Sequence, residues 1–598
     1  MARYVVGIDL GTTNSALAYA TIPDGDAVPD FQVLPIAQLV GPKDVGVRNV
    51  LPSFLYLPAA KEFPPDALAL PWNRGADRVV GTFARDYGAK VPGRLVSSAK
   101  SWLSHAGIDR RGVILPIAAP NDVAKVSPVE ASAAYLSHLR DVWNQQVGTK
   151  PTDRLEKLEV ILTVPASFDA AARDLTIEAT RIAGLENVTL LEEPQAAFYA
   201  WLASQGERWR QRVKVGDILL VCDVGGGTTD FTLIGVADQG GDLALTRLAV
   251  GEHILLGGDN MDLALAYAVA ATIPQGMDGL DLGQRIALGY ACRGAKEALF
   301  NDPFQVAAPV TVLGRGSKVI GGTIKAELTR IMLEATLIDG FFPPCARTDA
   351  PSRDRRVGLT EIGLPYASDP AITRHLARFL SRQASSLHAA GGEVNPSAIL
   401  FNGGVFQAAP LRDRVEAVLS TWAGRPVPLL ETPDLDLSVA RGAAYYATVR
   451  AGRGVRIRGG VSRSYYIGIE TSGPAVPGVK PPIKALCVVP LGMEEGTQAD
   501  VPGSDLGLVV GEPAEFRFLG STTRRDDSPG AILDRWSPED LQELTPLETA
   551  LVTDKTHSEG DIVPVRLQTK LTEVGTLELW CQSTRDDRRW KLEYNVRD

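Results

Sequence analysis

One short device is written twice in this chain. Val5-Val6-Gly7-Ile8-Asp9-Leu10-Gly11-Thr12-Thr13-Asn14-Ser15 lies near the start. About 210 residues later comes Leu219-Leu220-Val221-Cys222-Asp223-Val224-Gly225-Gly226-Gly227-Thr228-Thr229-Asp230. Each reads as an apolar strand ending in Asp, a Gly/Thr turn, and a second apolar strand (Ala16 to Ala20; Phe231 to Val236). A Gly-rich hairpin lets backbone N–H groups approach a polyphosphate closely, because no Cβ stands in the way. Thr hydroxyls add donors, and an Asp at the strand end can hold a hydrated magnesium ion. A single Asp-x-Gly turn occurs in many ordinary loops. Two copies with Asp and Thr at matching places point to two similar lobes closing on one nucleotide.

Two lobes sharing an Asp-Gly-Thr hairpin are the pattern of the actin, sugar-kinase and heat-shock ATPase superfamily. Gly7 to Ser15 resembles the first signature of the 70-kDa heat-shock protein (DnaK-type) family. Asp223 to Asp230 resembles its second, with Thr229 where a Phe is usual. Val164-Pro165-Ala166-Ser167-Phe168 with Arg173, then Arg181-Ile182-Ala183-Gly184-Leu185 and Glu193-Pro194-Gln195-Ala196-Ala197, follow in the family's order. Phe401-Asn402-Gly403-Gly404-Val405 and Asp436 to Ala444 resemble its late adenosine-side elements. The resemblance is dense over residues 1 to 450 and sparse afterwards. It implies an α/β fold: a two-lobed actin-like ATPase domain of duplicated RNase H-like lobes, followed by a small all-β sandwich-like domain. Lobe I is expected over about 1–216. Lobe II is expected over about 217–425, with a return to lobe I by 450.

Bulk properties narrow the class. At 598 residues the chain exceeds one core and suggests two to four domains. Hydrophobic content of 45% and charged content of 22% are those of a globular protein. A net charge of −10 argues against broad nucleic-acid binding. No secretion signal is seen before the first strand, and no stretch approaches the ~20 apolar residues of a membrane span. A cytoplasmic protein is expected. Cys222, Cys292, Cys345, Cys487 and Cys581 are far apart and read as core thiols. Gly-Lys never occurs, which excludes a Walker A loop.

Strands and helices alternate through the first lobe. Helices are expected over Pro128 to Val147, over Ala170 to Ala183 with Gly184 as C-cap, and over 194–210. In the second lobe, helices are expected over Asp262 to Ala271, Arg285 to Phe300 and Pro410 to Leu419. Strands are expected over Val306 to Leu313, Ser317 to Ile320 and Ala398 to Phe401. The last of these meets Gly403-Gly404, a strand–Gly-Gly–helix floor for a nucleotide. Near Arg450 the composition changes. Arg450, Arg453, Arg456, Arg458 and Arg463 sit among glycines, and residues 451–463 read as a basic linker. It stands where the family has a Leu-rich acidic one. It is either a solvated tether or a strap docking on an acidic groove by charge. Residues 464–598 carry short β-type runs: Tyr465 to Ile469, Ala485 to Val489, Ala514 to Leu519, Ile562 to Gln568, Leu577 to Trp580 and Trp590 to Val596. The segment resembles the family's substrate-binding β-domain at both ends, without the helical lid that usually follows.

The resemblance implies ATP/ADP and Mg2+ as cofactors. Asp9 and Asp223 would orient the metal through its waters. Backbone donors of Gly11, Thr12, Thr13, Asn14, Gly225, Gly226, Gly227 and Thr228 would hold the phosphates. Glu193 and Asp230 have family counterparts that order the attacking water and metal shell. Lys296, Gly403, Gly404 and Asp436 fall on the adenosine side. Two departures bear on catalysis and on the base. Val80-Gly81-Thr82-Phe83-Ala84 is followed by Arg85, where the family has an assisting Lys; Arg keeps the charge but not the ready proton. Cys292-Arg293-Gly294-Ala295-Lys296-Glu297 carries Arg293 and Glu297 with charges exchanged, as a swapped ion pair or an altered nucleotide preference. The expected function is a slowly ATP-hydrolysing chaperone-like protein. It would take unfolded or extended polypeptide or a specific partner protein, with a J-domain co-chaperone among the partners implied, and neither nucleic acid nor membrane. The alternatives are an ATP-dependent scaffold or exchange-type partner of another chaperone, and a small-molecule kinase.

Overall fold

The computed structural model describes residues 3–22, 29–105, 107–312, 323–352, 364–386, 394–432, 434–470, 482–494, 496–503, 506–509, 513–550, 561–572 and 576–594. Strand Tyr4–Leu10 is central in its sheet. It runs antiparallel to Asn14–Thr21 and parallel to Val160–Val164, which in turn pairs in parallel with Val188–Glu192. Lobe II repeats the plan. Ile218–Val224 is antiparallel to Thr229–Gln239 and parallel to Ala398–Asn402, and Thr229–Gln239 folds back on Asp242–Val250. These inner strands are apolar on both faces, as a sheet covered by helices on both sides demands.

The helices obey local chemistry at their ends. Ser127 and Glu130 form a capping box for Pro128–Gln146, and Asp169 caps Ala170–Ile182. Gly184, at φ 76, turns the chain after the second helix. The helix expected over 194–210 is shorter. Glu193–Gln205 stops at Gly206, whose φ of 53 breaks the α-helical run, and residues Gly206–Gln211 continue as a 3-10 helix. Helix Ser438–Arg450 returns the chain to lobe I. A Cβ on Gly7 would lie 2.2 Å from the backbone N of Ala444, and one on Gly442 would lie 1.7 Å from the carbonyl of Ala196. Glycine at both positions therefore lets this helix rest directly on the first strand and on helix Glu193–Gln205.

In lobe II, helices Gly258–Ala270 and Leu282–Asn301 pack beside a hairpin of Ala307–Val312 with Ile324–Thr329. The expected strand at Ser317 to Ile320 lies outside the described residues. The Gly403-Gly404 turn leads into a short 3-10 helix, Gly404–Gln407, before helix Ala409–Ala423 begins.

The linker is neither a tether nor a strap held by charge. Ile457–Arg458 pairs in parallel with Leu245 and Thr246, adding a fifth strand to the lobe II sheet. Ile457 is buried with Trp209, Val213 and Leu245, while Arg456 and Arg458 are exposed. Burial and backbone hydrogen bonds hold it.

Beyond Arg463 the described residues form two sheets. One centres on Ser464–Glu470, the other on Ile562–Leu571 and Leu577–Ser583. Tyr465, Ile467 and Leu486 from the first meet Val563, Leu567 and Leu579 from the second in one core. Strand Ile562–Leu571 alternates exposed and buried residues along its length, as a half-buried strand must. The run expected over Ala514 to Leu519 splits at Arg517. Pro513–Phe516 joins one sheet and Phe518–Ser521 the other. This unit leans on lobe I: Ala170 belongs to its core, and the fully buried Arg110 donates to Thr545 Oγ1 at 2.6 Å. Among the described residues no helix is long and apolar enough to cross a membrane.

Candidate functional site

A cleft of ≈ 430 Å3 runs between the lobes. Asp9, Gly11, Thr12, Thr13 and Asn14 line one side and Asp223, Gly225, Gly226 and Thr228 the other. The two turns touch. A Cβ on Gly226 would sit 1.9 Å from Thr13 Oγ1, so only glycine fits between the hairpins. Gly227 and Asp230 do not line the cleft. Gly227 packs toward Ser101 and Thr12, and Asp230 lies buried behind Asp223, its cross-strand partner. Lys296, Gly403, Gly404 and Asp436 line the far end, with Phe300, Leu337, Val405 and Leu411 adding apolar wall.

The strand neighbours position the carboxylates. Thr163 Oγ1, across the parallel pair from Asp9, donates to its Oδ1 at 3.1 Å. Asn402, across the equivalent pair in lobe II, donates to Asp223 Oδ2 at 2.9 Å and accepts in turn from Ser438 Oγ at 2.8 Å. Glu193 opens its helix and forms an ion pair with Lys100. Burial, then the nearby Glu193, pushes the Asp9 carboxyl up to about 7, against the pull of Lys100. Burial, then Glu193 and Asp230, drives Asp223 well above the carboxylate range. Burial raises Asp230 to about 6, although Ser167 donates its backbone N–H at 3.3 Å. Protein charge alone leaves this site over-supplied with carboxylates.

Lys100 escaped the sequence reading. It sits on the short helix Ala99–Trp102, and its side chain is 5% exposed against 39% for Arg85. Arg85 lines the rim and pairs with its neighbour Asp86 at 2.8 Å. The cation buried against the carboxylates is therefore Lys100, and Arg85 does not occupy that position. A usable signal was present. In Ala99-Lys100-Ser101-Trp102-Leu103 the lysine's neighbours are all small or apolar, and a buried lysine must be paired.

The exchanged charges on helix Leu282–Asn301 form no swapped pair. Arg293 bridges Asp259 and Asp262 within lobe II, and these carboxylates hold its guanidinium well above its ordinary value against the effect of burial. Lys296 also meets Asp262, at 2.6 Å, and Glu297 is exposed at the cleft edge. Ser98 of lobe I reaches Asp259 Oδ2 at 2.7 Å, which ties the lobes together across the mouth of the cleft.

Residues 79–345 match the family model described as Hsp70 protein. The chain carries an Hsp70-family domain. The Hsp70 match takes in Lys100, Glu193, Asp223, the second hairpin and Arg293; the first hairpin precedes it. The chain is 30% identical over 445 residues to a "Chaperone protein HscA homolog" of Azotobacter vinelandii, covering 70% of this chain and 60% of that protein. It is 31% identical over 382 residues to the protein of the same description from Pseudomonas aeruginosa, covering 60% and 50%. The Bordetella pertussis homologue is 31% identical over 342 residues, covering 56% and 46%. The chain thus spans about half to three-fifths of the length of these curated relatives.

Proposed function

We propose that this protein binds Mg-ATP between its lobes, hydrolyses it slowly, and works as a chaperone-like ATPase in the cytoplasm on extended polypeptide, with a J-domain co-chaperone. The contact of Gly226 with Thr13, which brings two phosphate-type turns face to face over buried carboxylates, carries the reading. The likeness to HscA homologues, described as chaperone proteins, supports the polypeptide part.

The donor set fits magnesium. Asp9, Glu193, Asp223 and Asp230 gather near one buried cation, Lys100, and burial raises three of the four carboxyls. Among the described residues no three His, Cys, Asp or Glu side chains form a cage for a metal. Magnesium keeps several of its waters, so two carboxylates, Asp9 and Asp223, suffice to orient it. Bound magnesium supplies positive charge to the phosphates. The backbone donors of both turns hold the phosphate oxygens. Lys100 compensates the charge of Glu193 and offers an ammonium toward the transferred group. Glu193 accepts a hydrogen bond from the attacking water and aims it. Phosphoryl transfer needs this positioning and charge neutralisation more than covalent chemistry. Asp230 acts from behind, by setting the charge on Asp223. Arg85, at the rim, contributes little to the step.

Equilibrium dialysis should give one Mg-ATP site per chain. Single-turnover phosphate release should fall about 100-fold in Lys100→Met and change less than about threefold in Arg85→Ala. Parental rates in Lys100→Met, with a large loss in Arg85→Ala, would reverse the assignment. Absence of nucleotide binding would overturn the reading itself. The scaffold alternative draws on the β-unit's shared core with lobe I at Ala170, which suits a fixed platform. Full-length protein that binds ATP yet captures no extended apolar peptide would favour it.

A further inference from the structure

Three serines of lobe I form a row against lobe II. Ser101 N–H donates to the Ser98 carbonyl at 3.0 Å, and Ser104 N–H to the Ser101 carbonyl at 3.3 Å. Bonds closed over three residues put side chains i, i+3 and i+6 on one face. Each of the three meets a different group of lobe II. Ser98 Oγ donates to Asp259 Oδ2 at 2.7 Å, and Ser104 Oγ meets His253 Nε2 at 2.9 Å. Between them Ser101 Oγ abuts the second phosphate turn, since a Cβ on Gly227 would stand 2.5 Å from it.

Two features mark this row as more than packing. Ser98 stands just before helix Ala99–Trp102, where a serine hydroxyl ordinarily caps. It makes no cap bond; its backbone is left-handed, at φ 53, and its hydroxyl reaches lobe II instead. Ser101 is 1% exposed, and its hydroxyl has no hydrogen-bond partner. Alanine would fill that place without the cost of an unpaired buried hydroxyl. The three targets are also fastened to one another. Gly258 and Asp259 donate their N–H groups to the carbonyls of Gly225 and Gly226, at 3.0 and 2.8 Å, and Thr229 N–H donates to the Ile254 carbonyl at 3.0 Å. Whatever fixes the second turn therefore fixes Asp259 and His253 with it. Lys100 sits inside the row, on the same short helix.

We propose that this serine row couples the second phosphate turn to Lys100. With phosphate on the backbone donors of that turn, Ser101 Oγ takes up a hydrogen bond with the Gly227 peptide. Ser98 and Ser104 hold the two ends of the segment. Lys100, carried between them, is then set in place for the transferred group. Ser101 is thus a positioning residue that acts through Lys100. The inference rests on the Mg-ATP reading and adds the means by which the state of lobe II is felt in lobe I.

Single-turnover phosphate release by the full chain at saturating Mg-ATP, with urea unfolding of the nucleotide-free protein beside it, tests the coupling. Ser101→Ala should slow release about tenfold, the worth of one lost hydrogen bond. Its urea midpoint should equal or exceed the parent's, because an unpaired buried hydroxyl is removed. A packing role cannot give these opposite signs. In a Lys100→Met background the same change should slow release no further, since residues that act as a unit are not additive. Parental release in Ser101→Ala overturns the proposal. So does a lowered midpoint, which would make Ser101 a packing residue, and so does a full further loss on top of Lys100→Met, which would mean that Ser101 acts elsewhere. A parent that neither binds Mg-ATP nor releases phosphate overturns the nucleotide reading instead. Hydrogen exchange without nucleotide then decides the row: it stands as the contact between lobes if Ser98→Ala and Ser104→Ala raise exchange over residues 225–229, and it falls if exchange there stays parental.

Discussion

Asp9 and Asp223 occupy the same place in two copies of one fold, and their surroundings differ. Each ends a central strand with a parallel neighbour on one side and a hairpin partner on the other. The parallel neighbour gives Asp9 a hydroxyl from Thr163 and Asp223 an amide from Asn402. Across the hairpin Asp9 faces Ala16, whereas Asp223 faces another carboxylate, Asp230. Among the described residues the cation buried against Asp9 is Lys100 of lobe I, with Glu193 as its partner. Duplication therefore fixes where the two acids stand, and neighbouring strands decide how much charge each can hold. Lobe I comes nearer to balance, while lobe II keeps an uncompensated excess.

The largest break in that comparison is loss of Lys100. Lys100→Met leaves Glu193 buried without its partner, beside two acids already forced upward. Destabilisation of about 3–5 kcal/mol is expected in urea unfolding of the nucleotide-free protein. The double change Lys100→Met, Glu193→Gln should recover most of it. Parental stability in the single variant would mean that the pair is solvated and that the charge argument fails.

Next in size come two pH effects of opposite sign. Asp230 rises from an ordinary 3.8 to about 6. Between those values the folded state holds the proton and the unfolded state does not, so stability falls as pH rises from about 4 to 6. His253 does the reverse. It lies half-buried between Ser104 and Ser167, at 2.9 and 2.6 Å, and desolvation, then Arg463, lowers it from 6.5 to about 4. The unfolded state binds that proton first, so stability falls as pH drops from about 6.5 to 4. Each contribution is of order 3 kcal/mol across its window. Asp230→Ala, which makes lobe II resemble lobe I at Ala16, should shrink the first slope, to which the raised Asp9 and Asp223 also contribute, and leave the second; His253→Gln should remove the second and leave the first. Unfolding free energies from pH 4 to 7.5 that keep both slopes undiminished in both variants would contradict the assignment.

The hairpins were legible because their chemistry is local: a strand-end Asp and glycines within a few residues say what the turn can do. Thr163 and Asn402 were not, because their roles depend on which strands become parallel neighbours, and hydrophobic runs do not encode that order. Arg85 drew attention through its motif, yet Lys100 is the cation buried against the carboxylates, and burial is a property of the folded whole. Arg293 and Glu297 looked like an exchanged pair because their charges are reversed from those of the motif they resemble. Asp259 and Asp262, on another helix, decided otherwise. The linker held a readable signal in Val455-Arg456-Ile457-Arg458, which alternates apolar and charged residues like an edge strand. Counting arginines obscured it. The split at Arg517 was invisible, since a continuous β-type run gives no hint that it will change sheets.

The smallest predicted effect tests whether the two turns meet as closely as the comparison requires. Adjacent glycines in the second turn face different neighbours. A Cβ at Gly225 would find nothing nearer than the Thr228 carbonyl at 3.8 Å, an ordinary contact. A Cβ at Gly226 would stand 1.9 Å from Thr13 Oγ1 in the other lobe, and a side chain or the lobes themselves must shift. Overpacking of this kind costs about 1–3 kcal/mol, and here it falls on closing the cleft rather than on either lobe's core. Gly226→Ala should therefore weaken Mg-ATP binding by about 10-fold, with unfolding of the nucleotide-free protein little changed, while Gly225→Ala stays within about threefold of the parent. Gly226→Ala combined with Thr13→Gly removes the obstructing side chain and should regain part of the loss. Equal affinities for the two alanine variants would mean that the lobes bind nucleotide further apart than this closed arrangement, and that the Gly226–Thr13 contact belongs to closure alone.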